Sequence, residues 1–299
     1  MTSELRAGQQ DIAGEQVPPN RPRTAFVLGG GASLGAAHVG MLRALYERGI
    51  QADLLVGTSA GALTAAYVAS RPQTADTAKA LGRVWRDLHR DDVFPIHPAA
   101  LIGGLTNRRD HLVPNGPLRR LIATHLQVER LEQASVPLHL VAFDVLTGKE
   151  VRLSEGPAIE AVLAAAAIPG VLPPVRWGGR LLVDGGVVNN TPVSHAVGLG
   201  AQRIYLLSTA SPQNRALPVG PHGALDAALY ALTLLVGARL ETDLARYGAV
   251  AELIVLPAAN PAHVQPSDFD HADELIAANL RAARTALETI PIHDLAAAA

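Results

Sequence analysis

Residues 52–69, Ala52-Asp-Leu-Leu-Val-Gly-Thr-Ser-Ala-Gly-Ala-Leu-Thr-Ala-Ala-Tyr-Val-Ala69, decide how the rest of the chain is read. Residues 52–56 end in an apolar run short enough for a buried strand, and residues 59–69 read as a helix closed off before Pro72. Between them lies Gly57-Thr-Ser-Ala-Gly61, a G-x-S-x-G match in the strand–turn–helix context where that pattern marks a nucleophile elbow. Small flanking residues let the backbone turn sharply and approach its neighbours. The helix N-terminus behind Ser59 favours negative charge developing at a reacting centre. In a chain with 27 glycines the bare pattern can arise by accident and leave Ser59 as an ordinary helix N-cap. The flanking strand and helix favour the nucleophile.

Working outward, residues 24–28 (Thr-Ala-Phe-Val-Leu) form a short apolar strand entering Gly29-Gly-Gly31. Residues 33–48 follow as a helix, with Leu34, Ala37, Met41, Leu42, Leu45 and Tyr46 on its apolar face and Gly49 at its end. Helices are predicted at residues 74–89 and 116–126, joined by a Pro- and Gly-containing stretch, 94–117, that suits a lid or pocket wall. Strands follow at 138–145 and 150–153 around Thr147-Gly148, then an Ala-rich helix at 157–167 and a strand at 181–183 running into Asp184-Gly-Gly186. Helices at 193–199, 224–247 and 272–289 alternate with strands at 203–208 and 253–256. Such alternation predicts an α/β fold, a mostly parallel central sheet covered by helices on both faces.

The 299 residues are 48% hydrophobic and 17% charged, enough for one sizeable core. We expect a single domain at 24–290 between a flexible tail at 1–23 and a short tail at 291–299. With 25 Lys+Arg against 27 Asp+Glu, the net charge of -2 leaves no excess to neutralise nucleic-acid phosphates. The chain has no cysteine, so disulfides, thiolate metal sites and Cys nucleophiles are excluded. Residues 1–23 lack the apolar core of a secretory signal, which points to the cytoplasm. The longest apolar stretch, inside 227–238, falls short of a membrane span, leaving at most peripheral contact with a membrane.

A serine hydroxyl needs a base, and Asp184 stands at a predicted strand end followed by two glycines. An Asp-Gly pair alone is a turn signal; a catalytic Asp184 would have to meet Ser59 at the crevice where strand ends of one sheet converge. Gly29-Gly-Gly-Ala-Ser-Leu-Gly35 can point backbone amides at an anion, either a phosphate or the oxyanion of a tetrahedral intermediate. A dinucleotide loop fits less well, because Ala32 replaces the central glycine and the second strand ends in the serine elbow rather than in an acidic ribose ligand. His38, His125, His139 and His195 lie in ordered segments and could be imagined in a triad with Ser59, but a lone His is more often a surface or packing residue, and such sites include variants with other bases. No metal-ligand spacing occurs, so neither metal nor cofactor is expected. Asp144 reads as the cap of the Thr147-Gly148 turn, and the 224–247 helix as a core helix rather than an acyl-pocket wall or membrane contact.

Taken in order, the glycine loop, Gly57-Thr-Ser-Ala-Gly61 and Asp184-Gly-Gly186 resemble the three motifs of patatin-like phospholipases. Ala164-Ala-Ala-Ala-Ile-Pro-Gly-Val-Leu-Pro-Pro-Val175 and Val187-Val-Asn-Asn-Thr-Pro-Val193 resemble what precedes and follows the family's aspartate, and Ala142-Phe-Asp-Val-Leu-Thr-Gly148 resembles a family strand and turn. The resemblance covers about residues 24–208. It implies a three-layer α/β/α fold and a lipid acyl hydrolase, phospholipase or esterase, acting without cofactor on a lipid ester. Ser59 would attack the ester carbonyl, Asp184 would take its proton, and water would hydrolyse the acyl-enzyme. Gly30, Gly31 and Ala32 match the family's oxyanion loop, and Gly35, Gly57, Gly61, Gly185 and Gly186 match its supporting glycines. Two positions depart from the pattern: Ala32 stands where a third glycine is common and Leu34 where a basic residue is frequent. Backbone amides survive the first change; the second removes a positive charge near the oxyanion or headgroup and weakens the expectation of a preference for anionic phospholipids. Acyl transfer to another alcohol, or lipid binding without catalysis, are the alternatives.

Overall fold

The computed structural model describes residues 22–95, 110–209, 224–261 and 264–289, with side chains of 224–233 excepted. The expected tails lie outside these residues but for Pro22 and Arg23, as do residues 96–109 of the stretch expected to be a lid. The chain enters through β1 (Thr24–Leu28), a 3₁₀ turn (Ala32–Ala36) and α1 (Ala37–Glu47), then β2 (Leu54–Gly57) and α2 (Ala60–Ala69). Helices α3 (Ala75–Asp87), α4 (Arg90–Val93) and α5 (Gly116–His125) precede β3 (Leu138–Asp144), β4 (Lys149–Leu153) and α6 (Ala158–Ala165). Strands β5 (Val175–Trp177) and β6 (Arg180–Asp184) lead to α7 (Gly186–Asn189), α8 (Val193–Gly198) and β7 (Arg203–Leu207). The last described elements are α9 (Ala224–Tyr247), β8 (Glu252–Val255) and α10 (Ala272–Glu288).

The strands form one 8-stranded sheet in the order β5-β6-β3-β2-β1-β7-β8, with β4 paired to β3. β3, β2, β1, β7 and β8 are mutually parallel, whereas β4, β5 and β6 pair antiparallel. The sheet is therefore mixed: a parallel body with an antiparallel end. Alternation along β1 assigns the two faces. Phe26 and Leu28 join the core beneath α1, α2, α3, α6 and α10, while Ala25 and Val27 join a smaller core with residues of α8 and α9. Both faces are covered, which is why β1 and β2 read as unbroken apolar runs.

Register explains how two distant sequence motifs meet. Leu140 pairs with both β2 and β4, and residues 142–144 pair with both β4 and β6. A strand has only two edges, so β2 and β6 must share the edge of β3 opposite β4. They run along it in opposite directions. β2 ends at Gly57, opposite Leu140, and β6 ends at Asp184, opposite Ala142. The two strand ends thus face each other head-on, a tighter juxtaposition than that of two neighbouring parallel strands.

Two local differences from the sequence reading have physical causes. The helix expected at 33–48 opens as a separate 3₁₀ turn, because Leu34 N–H closes on the Gly31 carbonyl (3.1 Å) while Ser33 N–H turns away to the Pro266 carbonyl (3.1 Å). Strand β5 has no counterpart in the sequence reading; its three residues sit among prolines and glycines and gain their order only by pairing with β6. Within α9, Leu225, Leu229 and Leu232 lie among side chains that are not described; further along, Leu240 is buried and Leu235 is 68% exposed. No helix of the described residues is long and apolar enough to cross a membrane.

Candidate active site

Ser59 sits at the turn between β2 and α2 with φ 55° and ψ -126°. It and Ala32, at φ 50°, are the positive-φ non-glycine residues among those described. Such conformations persist only where the surroundings hold them. Here the Thr58 amide donates to the Leu28 carbonyl (3.1 Å), the Ser59 amide to the Ala165 carbonyl (2.9 Å), and the Ala62 amide to the Ser59 carbonyl (2.8 Å). The two motif glycines are steric requirements. A Cβ on Gly61 would overlap the Leu28 carbonyl, and one on Gly57 would stand 2.6 Å from the Gly61 carbonyl oxygen. Thr58 is fully buried and its hydroxyl donates to the Asn189 carbonyl (3.0 Å), tying the elbow to the segment after Asp184. Thr58→Val keeps the shape and deletes that bond, so chemical denaturation should show a loss of about 1–3 kcal/mol, the cost of stranding a buried carbonyl.

Asp184 arrives from the opposite strand end and is held by the same helix terminus as Ser59. Its amide donates to the Ala167 carbonyl (2.8 Å), two residues beyond the carbonyl that accepts from Ser59. The alanine-rich stretch therefore works as a shared backbone anchor, and its small side chains let both turns approach. The carboxyl accepts the Gly186 amide through Oδ1 at 2.7 Å, and the Ser59 hydroxyl lies close enough to favour its ionised form. Both side-chain partners are nearly excluded from solvent, Ser59 being 8% and Asp184 4% exposed. Burial pushes the Asp184 pKa up to about 6, against the opposing pull of the nearby Ser59 hydroxyl and the Gly186 amide.

The glycine loop passes directly over Ser59. A Cβ on Gly30 would lie 2.8 Å from that of Ser59, so the loop can approach only without a side chain there. Asn190 locks it: the Gly30 amide donates to the Asn190 carbonyl (3.1 Å), and the Asn190 side-chain amide donates to the Gly30 carbonyl (3.3 Å). Thr209 also donates its hydroxyl to that carbonyl. Among the described residues no acceptor takes the amides of Gly31 or Ala32. Of the three amides expected at an oxyanion loop, Gly30's is therefore engaged, and the next two have no acceptor among the described residues. No local sequence signal singles out Asn189 or Asn190 for these supporting roles; they lie inside Val187–Val193 as part of a family-like stretch.

The other sequence candidates fall elsewhere. Among the described residues no histidine ring hydrogen-bonds Ser59 or Asp184. His38 is fully buried in α1, and burial lowers its pKa to about 4. His195 pairs with Glu150, which also accepts from the Asn189 side chain (2.7 Å). Asp144 caps its turn, accepting the Leu146 amide (3.1 Å) and the Thr147 hydroxyl (2.8 Å). No group of three or more metal-ligating side chains occurs among the described residues. Ser59 opens on a small apolar cavity walled by Leu63, Trp85, Leu118, Leu172 and Phe269.

Comparisons with known proteins point to one family. A family model described as patatin-like phospholipase matches residues 26–197. An uncharacterized NTE family protein of Mycobacterium bovis is 32% identical over 189 residues, 62% of this chain and 49% of that protein. Patatin-like phospholipase domain-containing protein 6 of Homo sapiens is 30% identical over 190 residues, 62% of this chain and 13% of that one. Lysophospholipase NTE1 of Mycosarcoma maydis is 28% identical over 193 residues, again 62% of this chain and 10% of the relative. The match thus spans half or less of each of these relatives.

Proposed function

Because the chain belongs to the patatin-like phospholipase family, matching its model over residues 26–197, we propose that it hydrolyses carboxylic esters of lipids with Ser59 as nucleophile and Asp184 as base. The observation that carries this reading is the head-on meeting of the two strand ends, which sets the Ser59 hydroxyl beside the buried Asp184 carboxyl. Ser59 Oγ attacks the ester carbonyl as its proton passes to Asp184. The oxyanion formed is met by the amides of Gly31 and Ala32, while Gly30 supplies the space beside Ser59 Cβ. The proton then moves from Asp184 to the departing alcohol, leaving an acyl group on Ser59. Water attacks that ester by the reverse path, with Asp184 again taking a proton, and the free carboxylic acid departs.

Two features support the assignment of roles. A carboxylate raised to about 6 is a far better base than one at its ordinary value, yet remains ionised at neutral pH. The cavity in front of Ser59 is walled by aliphatic and aromatic side chains, which suits an acyl chain and offers little to a charged group. The same acyl-enzyme could pass its acyl group to another alcohol, and analysis of the products, free acid against a new ester, separates hydrolysis from transfer.

The pH profile follows from the base. With a soluble ester, kcat/KM should rise about tenfold per pH unit below 6 and level off above it, because Asp184 must be ionised to accept the serine proton. A profile that falls across this range would make Asp184 an acid rather than a base. Labelling with a fluorophosphonate should place one adduct on Ser59 and end hydrolysis; an unlabelled Ser59 in active protein would overturn the reading.

A further inference from the structure

Behind the Ser59 cavity lies a second apolar hollow, half open and lined by residues of α2, α3, α5 and α6. The two spaces share three wall residues, Leu63, Trp85 and Leu88. We propose that the rear hollow receives the distal methylenes of an acyl chain whose carbonyl lies at Ser59, and that Trp85 is the partition that selects chain length. This rests on the reading of Ser59 as an acyl-accepting nucleophile.

The direction of α2 links the two spaces. Ser59 stands at the helix N-terminus; one turn on, Leu63 faces both hollows, and Thr64 and Tyr67 face the rear one. From Ser59 to Tyr67 the axis advances roughly 12 Å at 1.5 Å per residue, so a chain leaving Ser59 along α2 passes the partition and enters the rear space.

The chemistry of the rear hollow defines its occupant. Leu81, Ile122 and Val162 typify its wall, and the buried Thr64 hydroxyl there has no partner among the described residues. At the end marked by Tyr67 and His125 the guanidinium of Arg71 is already committed. It lies over the Tyr67 ring, 3.8 Å from its centroid, and donates to the Tyr67 and His125 carbonyls (both 2.7 Å). A carboxylate or phosphate entering this space would be desolvated without compensation. An uncharged hydrocarbon end would not. The occupant is therefore the methyl-terminated part of a chain, with its polar end at Ser59.

Trp85 is suited to be the partition. It is 6% exposed, and its ring packs where a Cβ on Gly35 would lie 2.9 Å from the indole. The indole thus touches the glycine loop on one side and lines both hollows on the other. A chain that displaces it gains a second apolar compartment; a chain too short to reach it does not.

The test compares alkyl fluorophosphonates of increasing chain length by the rate constant for modifying Ser59, together with p-nitrophenyl esters from butyrate to palmitate. Once the chain reaches the partition, each added methylene should raise the rate about fourfold until the hollow is filled. Leu121→Trp fills the rear space from its half-buried wall and should lower the long-to-short rate ratio by about tenfold or more. Trp85→Ala removes the partition and should move the onset of the rise to shorter chains; should that variant fail to fold, Leu121→Trp decides alone. Ser59 labelled at a rate independent of chain length, with the ratio unchanged in Leu121→Trp, would overturn the rear compartment and leave the nucleophile intact. Failure of every reagent to label Ser59 would remove the nucleophile and this proposal with it.

Discussion

Replacing Ser59 by alanine should lower ester hydrolysis by about 10⁴-fold or more while the cooperative unfolding transition is retained, because the variant deletes the nucleophile and keeps a small residue in the elbow. The bonds that shape the turn are backbone bonds from residues 58, 59 and 62, and none needs the hydroxyl. Asp184→Asn should fall by a similar factor for a different reason. The amide retains the shape and can still accept the Gly186 N–H, but it cannot take a proton from Ser59. Since the two groups act on the same proton, the double variant should be hardly slower than either single one. Losses that multiply would mean independent roles and a base other than Asp184. Turnover at the wild-type rate in a pure Ser59→Ala preparation would remove the acyl-enzyme and leave lipid binding as the reading.

Much of this site is legible in sequence because its requirements are steric and local. Gly57 and Gly61 are there because a Cβ at either would strike backbone, and that constraint leaves a fixed pattern around Ser59. The parallel body of the sheet is equally legible, since strands covered on both faces leave apolar runs such as Thr24–Leu28. What sequence does not carry is the reversal of β6. Nothing in Arg180–Asp184 says whether the strand runs with or against β3, because its residue types suit either direction. Yet that direction sets Asp184 head-on to Ser59 rather than beside it. The role of Asn190 is hidden for a related reason: its contact with Gly30 joins residues 160 positions apart, and an Asn-Asn-Thr-Pro run reads locally as a turn. Trp85 looks like one apolar position on a strongly amphipathic helix, and only the packing of α3 against the glycine loop brings it to the cavity wall.

The burial that would make Asp184 a base should also destabilise the fold. Its pKa is raised from the ordinary value of 3.8 to about 6 by burial, so the folded protein holds a proton there that the unfolded chain has already released. A raised carboxyl stabilises the fold fully below pH 4 or so, and that contribution is lost as pH rises through about 6. A rise of this size corresponds to roughly 3 kcal/mol, a large fraction of the stability of a single domain. Asp184→Asn carries no charge at any pH and escapes the loss. In urea titrations, the stability of the variant relative to wild type should therefore increase by roughly 2–3 kcal/mol between pH 4 and pH 8, although the variant is inactive. Ser59→Ala should act in the opposite sense, since it withdraws a hydroxyl that favours the ionised carboxyl and should move the loss of stability to higher pH. A pH-independent difference between Asp184→Asn and wild type would show that the carboxyl is not perturbed, and the explanation of its basicity would have to be found outside its burial.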